Sequence, residues 1–139
     1  MRVVIDTNVL ISATFWTGKP KQLLNKARRG EVTLISSKIL LDELKEILVR
    51  ADKPFKLSEN NARRIVNAVH DMAEIVQTKS KFSVCKDEKD NCVLECAVDG
   101  KAQWIITGDM HLLKLQSFQG IPIVRVTEFL SKFKDTLIP

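Results

Sequence analysis

The segment Val3-Val4-Ile5-Asp6-Thr7-Asn8 joins a β-branched apolar run to an acid, a hydroxyl and an amide. A short apolar run with such an abrupt polar end is typical of a buried central strand. Asp6 then stands at the carboxyl end of that strand, where open parallel α/β sheets bind their ligands. Because a lone buried carboxylate is costly unless it is paired or bound to a metal, Asp6 is placed for chemistry, and the rest of the chain should supply its partners.

Strands and helices are predicted to alternate along the rest of the chain. Short apolar runs predict further strands at residues 32–35, 74–77, 104–107 and 121–126. Helical periodicity and end signals predict helices at residues 8–13, 20–30, 37–49, 58–72, 90–98, 110–115 and 127–133. Either Ser36 or Ser37 caps the third helix, and Thr127 caps the last. This alternation indicates an α/β fold with a mostly parallel sheet that is covered by helices on both faces.

The length of 139 residues fits one domain, spanning residues 1–139, with a core of its own. The apolar content of 45% is ordinary for a globular protein. No stretch approaches the roughly 20 apolar residues that span a bilayer. Met1 and Arg2 leave no room for a signal peptide before the first strand. The three cysteines are an odd number, which favours reduced thiols in a cytoplasmic protein.

Asp6 and Asp109 share a context, because each follows a predicted apolar strand. If those two strands are neighbours in the sheet, the two carboxylates converge. A single acid at such a position is as readily explained as the cap of the following helix. The presence of both favours a functional site.

A third acid, Glu43, lies on the apolar face of its predicted helix. At about 100° per residue it falls inside the arc of the large apolar side chains. Those residues are Ile39, Leu40, Leu44, Ile47 and Leu48. A carboxylate on that face needs a partner or a metal. The alternative is a boundary residue whose methylene groups carry its carboxylate to water.

A fourth acid, Asp90, opens a helix that is apolar nearly all round. Its apolar residues are Cys92, Val93, Leu94, Cys96, Ala97 and Val98. A helix buried on all sides belongs against the centre of the sheet, with its amino end pointing at the same crevice. Asp90 is then a helix cap, a metal ligand or both, and Asp87 or Glu88 is a candidate outer ligand.

Four carboxylates at one site repel one another, and some would keep their protons at neutral pH without a counter-charge. A divalent cation removes that conflict, and all-oxygen ligands suit Mg²⁺ or Mn²⁺ better than zinc. Such ions keep several waters and bind substrate phosphate. The pattern of four acids therefore predicts a site in which a bound cation activates a water for in-line attack on a phosphodiester.

The acids lie in four motifs that resemble the PIN-domain family. The motifs are Asp6-Thr7-Asn8, Ser36 leading into Leu40-x-x-Glu43-Leu44, Asp87-x-x-Asp90-Asn91-x-x-Leu94-x-x-Ala97, and Thr107-Gly108-Asp109 before Leu112-Leu113. Together they cover essentially the whole chain and look most like the short prokaryotic PIN proteins known as VapC toxins. The resemblance implies a three-layer α/β/α fold around a five-stranded, mostly parallel sheet. It also implies Mg²⁺- or Mn²⁺-dependent endoribonuclease activity, a homodimer or higher homo-oligomer, and a separately encoded antitoxin.

The resemblance assigns the family's catalytic and metal-binding quartet to Asp6, Glu43, Asp90 and Asp109. Asn8 and Thr107 match the polar positions that support the quartet, and Ser36 is a weaker candidate for the same role. Glu88 departs from the pattern, because related sequences often carry proline after the first acid of that motif. This departure should alter the loop more than the chemistry.

The net charge of +5 favours polyanionic partners. The lysines and arginines at residues 19–29 and 50–56 are as consistent with an RNA groove as with a solvated face. Trp16 is suited to stacking on a base, to filling a dimer or antitoxin pocket, or to ordinary packing. The alternatives to a toxin are an RNA-processing nuclease without a toxin role and a catalytically silent nucleic-acid-binding module.

Other chemistries fit the sequence less well. Cys92 and Cys96 have a metal-like spacing without further ligands nearby, which favours packing. His70 and His111 have no nucleophile partner in the pattern, which disfavours a Ser/His or Cys/His hydrolase. A haloacid-dehalogenase-type phosphatase needs a second acid where Asn8 stands. A response-regulator receiver needs an acidic pair on the first strand and a lysine after the last.

Overall fold

The structure is a computed structural model that describes residues 1–50 and 52–137. The strands are β1 (Arg2–Ile5), β2 (Thr33–Ser36), β3 (Ala73–Ile75), β4 (Trp104–Ile106), β5 (Ser117–Phe118) and β6 (Ile121–Val124). The helices are α1 (Thr7–Phe15), α2 (Lys19–Arg28), α3 (Lys38–Leu48), α4 (Glu59–Met72), α5 (Glu88–Asp99), α6 (Met110–Leu113) and α7 (Val126–Leu137). Strands and helices alternate as predicted. Thr127 lies inside α7 and so does not cap it.

Within the described residues the strands form one sheet in the order β3-β2-β1-β4-β6-β5. Every pair is parallel except β5 with β6. The chain builds outward from β1 in one direction through β2 and β3, and in the other through β4 and β6. The strand order therefore reverses between β1 and β4, which is where α/β sheets of this kind open a ligand crevice.

The predicted α/β fold is confirmed, but the predicted number of five strands is wrong. All five predicted strands are present, and the described residues contain a sixth, β5, with only two residues. β5 and β6 are joined by Gln119 and Gly120, whose φ angles are 49° and 80°. Two positive φ angles in a two-residue loop match the tight turn that suits a β-hairpin. A two-residue strand is too short to leave an alternating pattern, so the sequence gives no sign of it.

Side chains alternate across the sheet and create a core on each face. Val3 and Ile5 point into the cluster formed with α1, α2, α3, α4 and α7. Val4 points into the opposite cluster, which is filled mainly by α5 and includes Leu112 of α6. Helices therefore cover both faces, which gives the predicted three layers.

Helix α5 is buried on all sides, as predicted. The eight consecutive residues from position 90 to position 97 are buried. They include Cys92 and Cys96, which are free thiols packed in the second cluster. Because α5 lies against β1, β2 and β4, its amino end is held beside the crevice. No helix within the described residues is both long enough and apolar enough to cross a bilayer.

Candidate functional site

Thr107 links the carboxyl ends of the two central strands. Strands β1 and β4 are neighbours, and the backbone N–H of Asp6 donates to the Ile106 carbonyl at 2.9 Å. The Thr107 hydroxyl is fully buried and donates to Oδ2 of Asp6 at 2.7 Å. The same hydroxyl oxygen accepts from the backbone N–H of Asp109 at 2.9 Å. Thr107 therefore links the two acid-bearing segments.

Asp109 also caps a helix. Its Oδ1 accepts from the backbone N–H of His111 at 2.7 Å at the start of α6. The capping interpretation of a strand-end acid therefore applies to Asp109. Asp6 takes the corresponding position before α1, where it is only 8% exposed.

Glu43 reaches the crevice from α3. It is half-buried, and its Oε2 accepts from the Thr7 hydroxyl at 3.3 Å. The predicted inward arc of α3 is wrong at Ile39, which is 49% exposed. Ile39 lies roughly opposite the fully buried Leu48 at about 100° per residue, so it faces away from the core. Glu43 therefore stands at the edge of the buried face and points toward Thr7 at the start of α1.

Asp90 is not the cap of α5. The helix begins at Glu88, and the Asp87 carboxylate caps it by accepting from the backbone N–H of Lys89 at 3.0 Å. Asp90 lies in the first turn with a side chain only 6% exposed. The capping interpretation of Asp90 is thus wrong, because the helix starts two residues earlier than predicted. Its buried carboxyl is left for another role.

The four acids meet in one pocket of about 200 Å³. Its lining residues are Asp6, Asn8, Glu43, Ile47, Arg50, Lys53, Asp87, Lys89, Asp90 and Asp109. The structure thus brings together the whole predicted quartet with Asn8 and Asp87. Ser36 does not belong to this lining among the described residues, although it is buried at the end of β2. Ser37, not Ser36, caps α3, through the backbone N–H of Leu40 at 3.4 Å.

Three of the acids that line the pocket, Asp6, Glu43 and Asp90, have surroundings that raise their pKa values. Burial and the neighbouring Asp109 carboxyl raise the pKa of Asp90 to about 7. Burial also raises the pKa of Asp6, against the opposing effect of the Thr107 hydrogen bond. The pKa of Glu43 is raised by burial as well, while Lys89 opposes the rise. A cation in this pocket would reduce the repulsion between neighbouring carboxylates, which contributes to these raised pKa values.

Three cations share the pocket with the acids. Arg50 and Lys53 belong to the basic segment predicted as a possible RNA groove, whereas Lys89 was not singled out from the sequence. Its only signal was its position between Asp87 and Asp90, in a stretch predicted to be loop. These cations are placed to bind the phosphate groups of a polyanion.

Other candidates lie away from this pocket. Lys21 and Arg28 of the first basic segment line a separate groove of about 140 Å³ against α4. Trp16 is 52% exposed and makes edge contacts with Phe15 and Phe55. His70 is exposed beside Asp71.

The donor set fits a hard divalent cation. The pocket offers carboxylates and the Asn8 amide, and oxygen donors of this kind suit Mg²⁺ or Mn²⁺. Over residues 1–50 and 52–137, no three His, Cys, Asp or Glu side chains form a ready-made cage for an ion. An ion in this pocket would therefore take part of its coordination shell from water.

The sequence matches the model of a known family and one curated relative. The family model for the PIN domain matches residues 2–111. An uncharacterized protein of Methanocaldococcus jannaschii is 33% identical over 118 residues, which are 84% of this chain and 76% of that protein.

Solved structures share the fold at low sequence identity. The crystal structure of VapBC2 from Rickettsia felis, bound to a DNA fragment from their promoter, has a TM-score of 0.62 and 14% identity. The match covers 88% of this chain and 97% of that chain. A protein of Pyrobaculum aerophilum has a TM-score of 0.61 and 12% identity, over 96% of this chain and 89% of that chain.

Proposed function

Because this chain belongs to the PIN-domain family, we propose that it is a metal-dependent endoribonuclease that hydrolyses phosphodiester bonds in RNA. PIN domains are in general nucleases that use divalent metal ions. The observation that carries the proposal is the convergence of four carboxylates on one pocket, at the point where the strand order reverses. The proposal takes residues 1–139 as a single PIN domain.

The proposed roles follow from the contacts in the pocket. Asp6, Glu43, Asp90 and Asp109 would hold Mg²⁺ or Mn²⁺, which when bound activates a water and neutralises phosphate charge. Thr107 orients Asp6 through its hydroxyl, and Thr7 does the same for Glu43. Asn8 and Asp87 line the same pocket and are placed to hold waters around the ion.

The cations of the pocket would bind substrate. Arg50, Lys53 and Lys89 stand beside carboxylates that would otherwise repel a polyanion. Their positive charge favours entry of the phosphate backbone and holds the scissile phosphate near the acids.

The proposal extends to a toxin that works in the cytoplasm, blocked by a separately encoded antitoxin and assembled as a homodimer or higher homo-oligomer. Its support is the shared fold with VapBC2 over nearly the whole of that chain. Expression in a bacterial host should arrest growth, and Asp6→Asn should relieve the arrest. Growth arrest that persists with Asp6→Asn would contradict toxicity through this pocket.

The test of the activity is RNA cleavage with and without Mg²⁺ or Mn²⁺. Cleavage should require the ion, and Glu43→Gln should lower it about 100-fold or more, because a ligand to the ion is lost. Glu46→Gln is the matched control, since Glu46 is exposed on the same helix and lies outside the acidic pocket. Protein that binds RNA tightly but cuts none of it with either ion would instead be a nucleic-acid-binding module.

A further inference from the structure

An extended segment, residues 79–86, lies along one face of α5 and is called the arm below. Three α5 side chains bind its backbone. They are Asn91, Glu95 and Asp99, which follow one another at four-residue spacing and so share one face of the helix. The arm has no helix or strand of its own, so these side chains replace the regular hydrogen bonding that it lacks.

The contacts run along the length of the arm. Asp99 Oδ2 accepts from the backbone N–H groups of Lys79 at 2.6 Å and Ser80 at 2.8 Å. Glu95, only 3% exposed, accepts from the backbone N–H of Phe82 at 3.0 Å. Two of these three hydrogen bonds are partly buried, and together they hold the first half of the arm against the helix.

The second half of the arm is held by a two-way contact. Asn91 accepts from the backbone N–H of Cys85 at 2.8 Å and donates to the Cys85 carbonyl at 2.9 Å. The Phe82 ring packs edge-on against Phe118 of β5, with ring centroids 5.0 Å apart. The arm is therefore anchored by both polar and apolar contacts.

The carboxylates and the lysines of this region differ in their surroundings. Glu95 and Asp99 direct their carboxylates at the arm's backbone, whereas Lys79, Lys81 and Lys86 are exposed. The Lys81 ammonium lies 3.8 Å from the Glu88 carboxylate, but both side chains are exposed, so the ion pair is weak. The arm thus exposes three lysines to solvent.

The arm ends at the proposed active site. Lys86 lines a pocket of about 260 Å³ with Asp87, Asp90 and His111. Asp87 and Asp90 also line the acidic pocket, so the two pockets adjoin. A polyanion that reaches Asp90 is therefore within reach of the arm. The basic groove of α2 shares no lining residue with the acidic pocket among the described residues.

We propose that the arm binds the phosphate backbone of RNA beside the acidic pocket, with Asn91, Glu95 and Asp99 as the residues that hold it in place. The proposal rests on the proposed function, because it takes RNA as the substrate. Under this proposal, RNA that extends beyond the acidic pocket binds mainly to the arm and not to the basic residues of α2.

Binding to a fluorescein-labelled single-stranded RNA of mixed sequence tests the arm without turnover. The measurement is fluorescence anisotropy over a range of KCl concentrations, in the full chain carrying Asp6→Asn to prevent cleavage. Lys79→Gln with Lys81→Gln should weaken binding and flatten the slope of log affinity against log salt by about 1.4, since each lost phosphate contact on a single strand contributes about 0.7.

Lys19→Gln with Lys21→Gln removes the same charge from α2 and is the matched control. It should leave the slope unchanged. If the α2 pair flattens the slope and the arm pair does not, the proposal is overturned. If neither pair of substitutions changes the slope, the arm's lysines contact an acidic protein surface or only solvent. The proposal fails in that case as well.

A second experiment tests the side chains that hold the arm. Glu95→Leu removes the acceptor for Phe82, whereas Glu95→Gln keeps an oxygen in the same place. Trypsin should cut after Lys79, Lys81 or Lys86 about tenfold faster in the Leu variant, because the arm opens more often, while the Gln variant should resemble wild type. The Leu variant should also bind RNA more weakly, with melting temperatures recorded to confirm folding.

Equal cleavage of all three proteins would show that Glu95 does not hold the arm. Loss of RNA binding in the arm variants of a protein that cuts no RNA would leave this proposal standing and overturn only the proposed function. Metal-dependent RNA cleavage, together with unchanged RNA binding in the arm variants, would support the proposed function and overturn the proposal for the arm.

Discussion

Asp90 is a buried carboxyl that shares its surroundings with a second acid. Burial and the Asp109 carboxyl raise its pKa to about 7, so near neutral pH it keeps a proton in a substantial fraction of molecules. The pocket therefore holds carboxylates that favour either a proton or a cation. A divalent cation that enters the pocket would displace that proton.

The raised pKa of Asp90 predicts how stability depends on pH without metal. Between about pH 4 and pH 7 the folded chain keeps a proton on this group that the unfolded chain has lost, so the free energy of unfolding falls as pH rises through that window. Asp109→Asn removes a neighbouring charge and should make this fall smaller. Calorimetric melting in EDTA from pH 5 to pH 8 checks it. Parallel profiles for the two proteins would show that Asp109 does not set the pKa of Asp90.

Thr107 is the residue whose loss should disturb the site most without removing a charge. Thr107→Val takes away the donor to Asp6 and the acceptor for the Asp109 N–H in a fully buried position. We expect a loss of about 1–3 kcal/mol in the free energy of unfolding, measured with urea. RNA cleavage under conditions where the variant is fully folded should also fall.

Thr107→Ser is the control, because it keeps the hydroxyl. It should retain most of both the stability and the activity. A Val variant as stable and as active as the Ser variant would refute the linking role of Thr107.

The residues of the site differ in how far local sequence could identify them. The four acids follow apolar runs or lie on apolar helices, where an acid is conspicuous. Lys89 is an exposed lysine in a charged stretch, and its reach into the pocket depends on where α5 begins. Ser36 stands at the end of a strand, yet the pocket forms between the ends of β1 and β4, the middle and carboxyl end of α3, and the start of α5.

At the scale of single elements, α5 does the most to build the site. It is buried all round, presents Asp90 at its amino end and binds the arm along one face. The helix begins two residues before its predicted start, because both Asp87 and Asp90 are residues that can cap a helix. The structure resolves this through the hydrogen bond from Lys89 to Asp87.

The carboxyl end of α5 should tolerate no added volume. A Cβ at Gly100 would lie 2.5 Å from a side-chain carbon of Ile35 and 2.8 Å from the Cys96 carbonyl oxygen. We expect Gly100→Ala to lower the free energy of unfolding by about 1–3 kcal/mol through overpacking against β2. Gly108→Ala is the control, since a Cβ there meets nothing within 4 Å. Urea unfolding of both variants measures the difference, and equal stabilities would argue against tight packing at this end of α5.

At the scale of the whole molecule, the order of the strands creates the site. Because β1 lies beside β4, the chain brings together acids from residues 6 and 109, and α3 and α5 add Glu43 and Asp90 from either side. Each acid is supplied by a different element. Binding of an ion should therefore stabilise the fold as a whole.

Mn²⁺ should raise the stability of the wild-type protein. At a free concentration about 100 times its dissociation constant, the gain should be about 2.7 kcal/mol. Asp6→Asn should abolish this gain, while its stability in EDTA should equal or exceed that of wild type because a repelling charge is gone. Thermal melting with and without Mn²⁺ measures both effects. An Asp6→Asn protein that melts well below wild type in EDTA would instead assign Asp6 a structural role.

The sequence by itself determined the alternation of strands and helices, the fold class and the choice of candidate acids, because these signals lie within a few residues of one another. The strand β5 could not be predicted, because two residues are too few to show the alternation of apolar and polar side chains that is typical of a strand. Only the tertiary structure decided that β1 adjoins β4, that Arg50, Lys53 and Lys89 share the pocket, and that the arm turns its lysines outward. These features depend on strand order, on where a helix begins and on hydrogen bonds between distant residues, and no local window of sequence contains them.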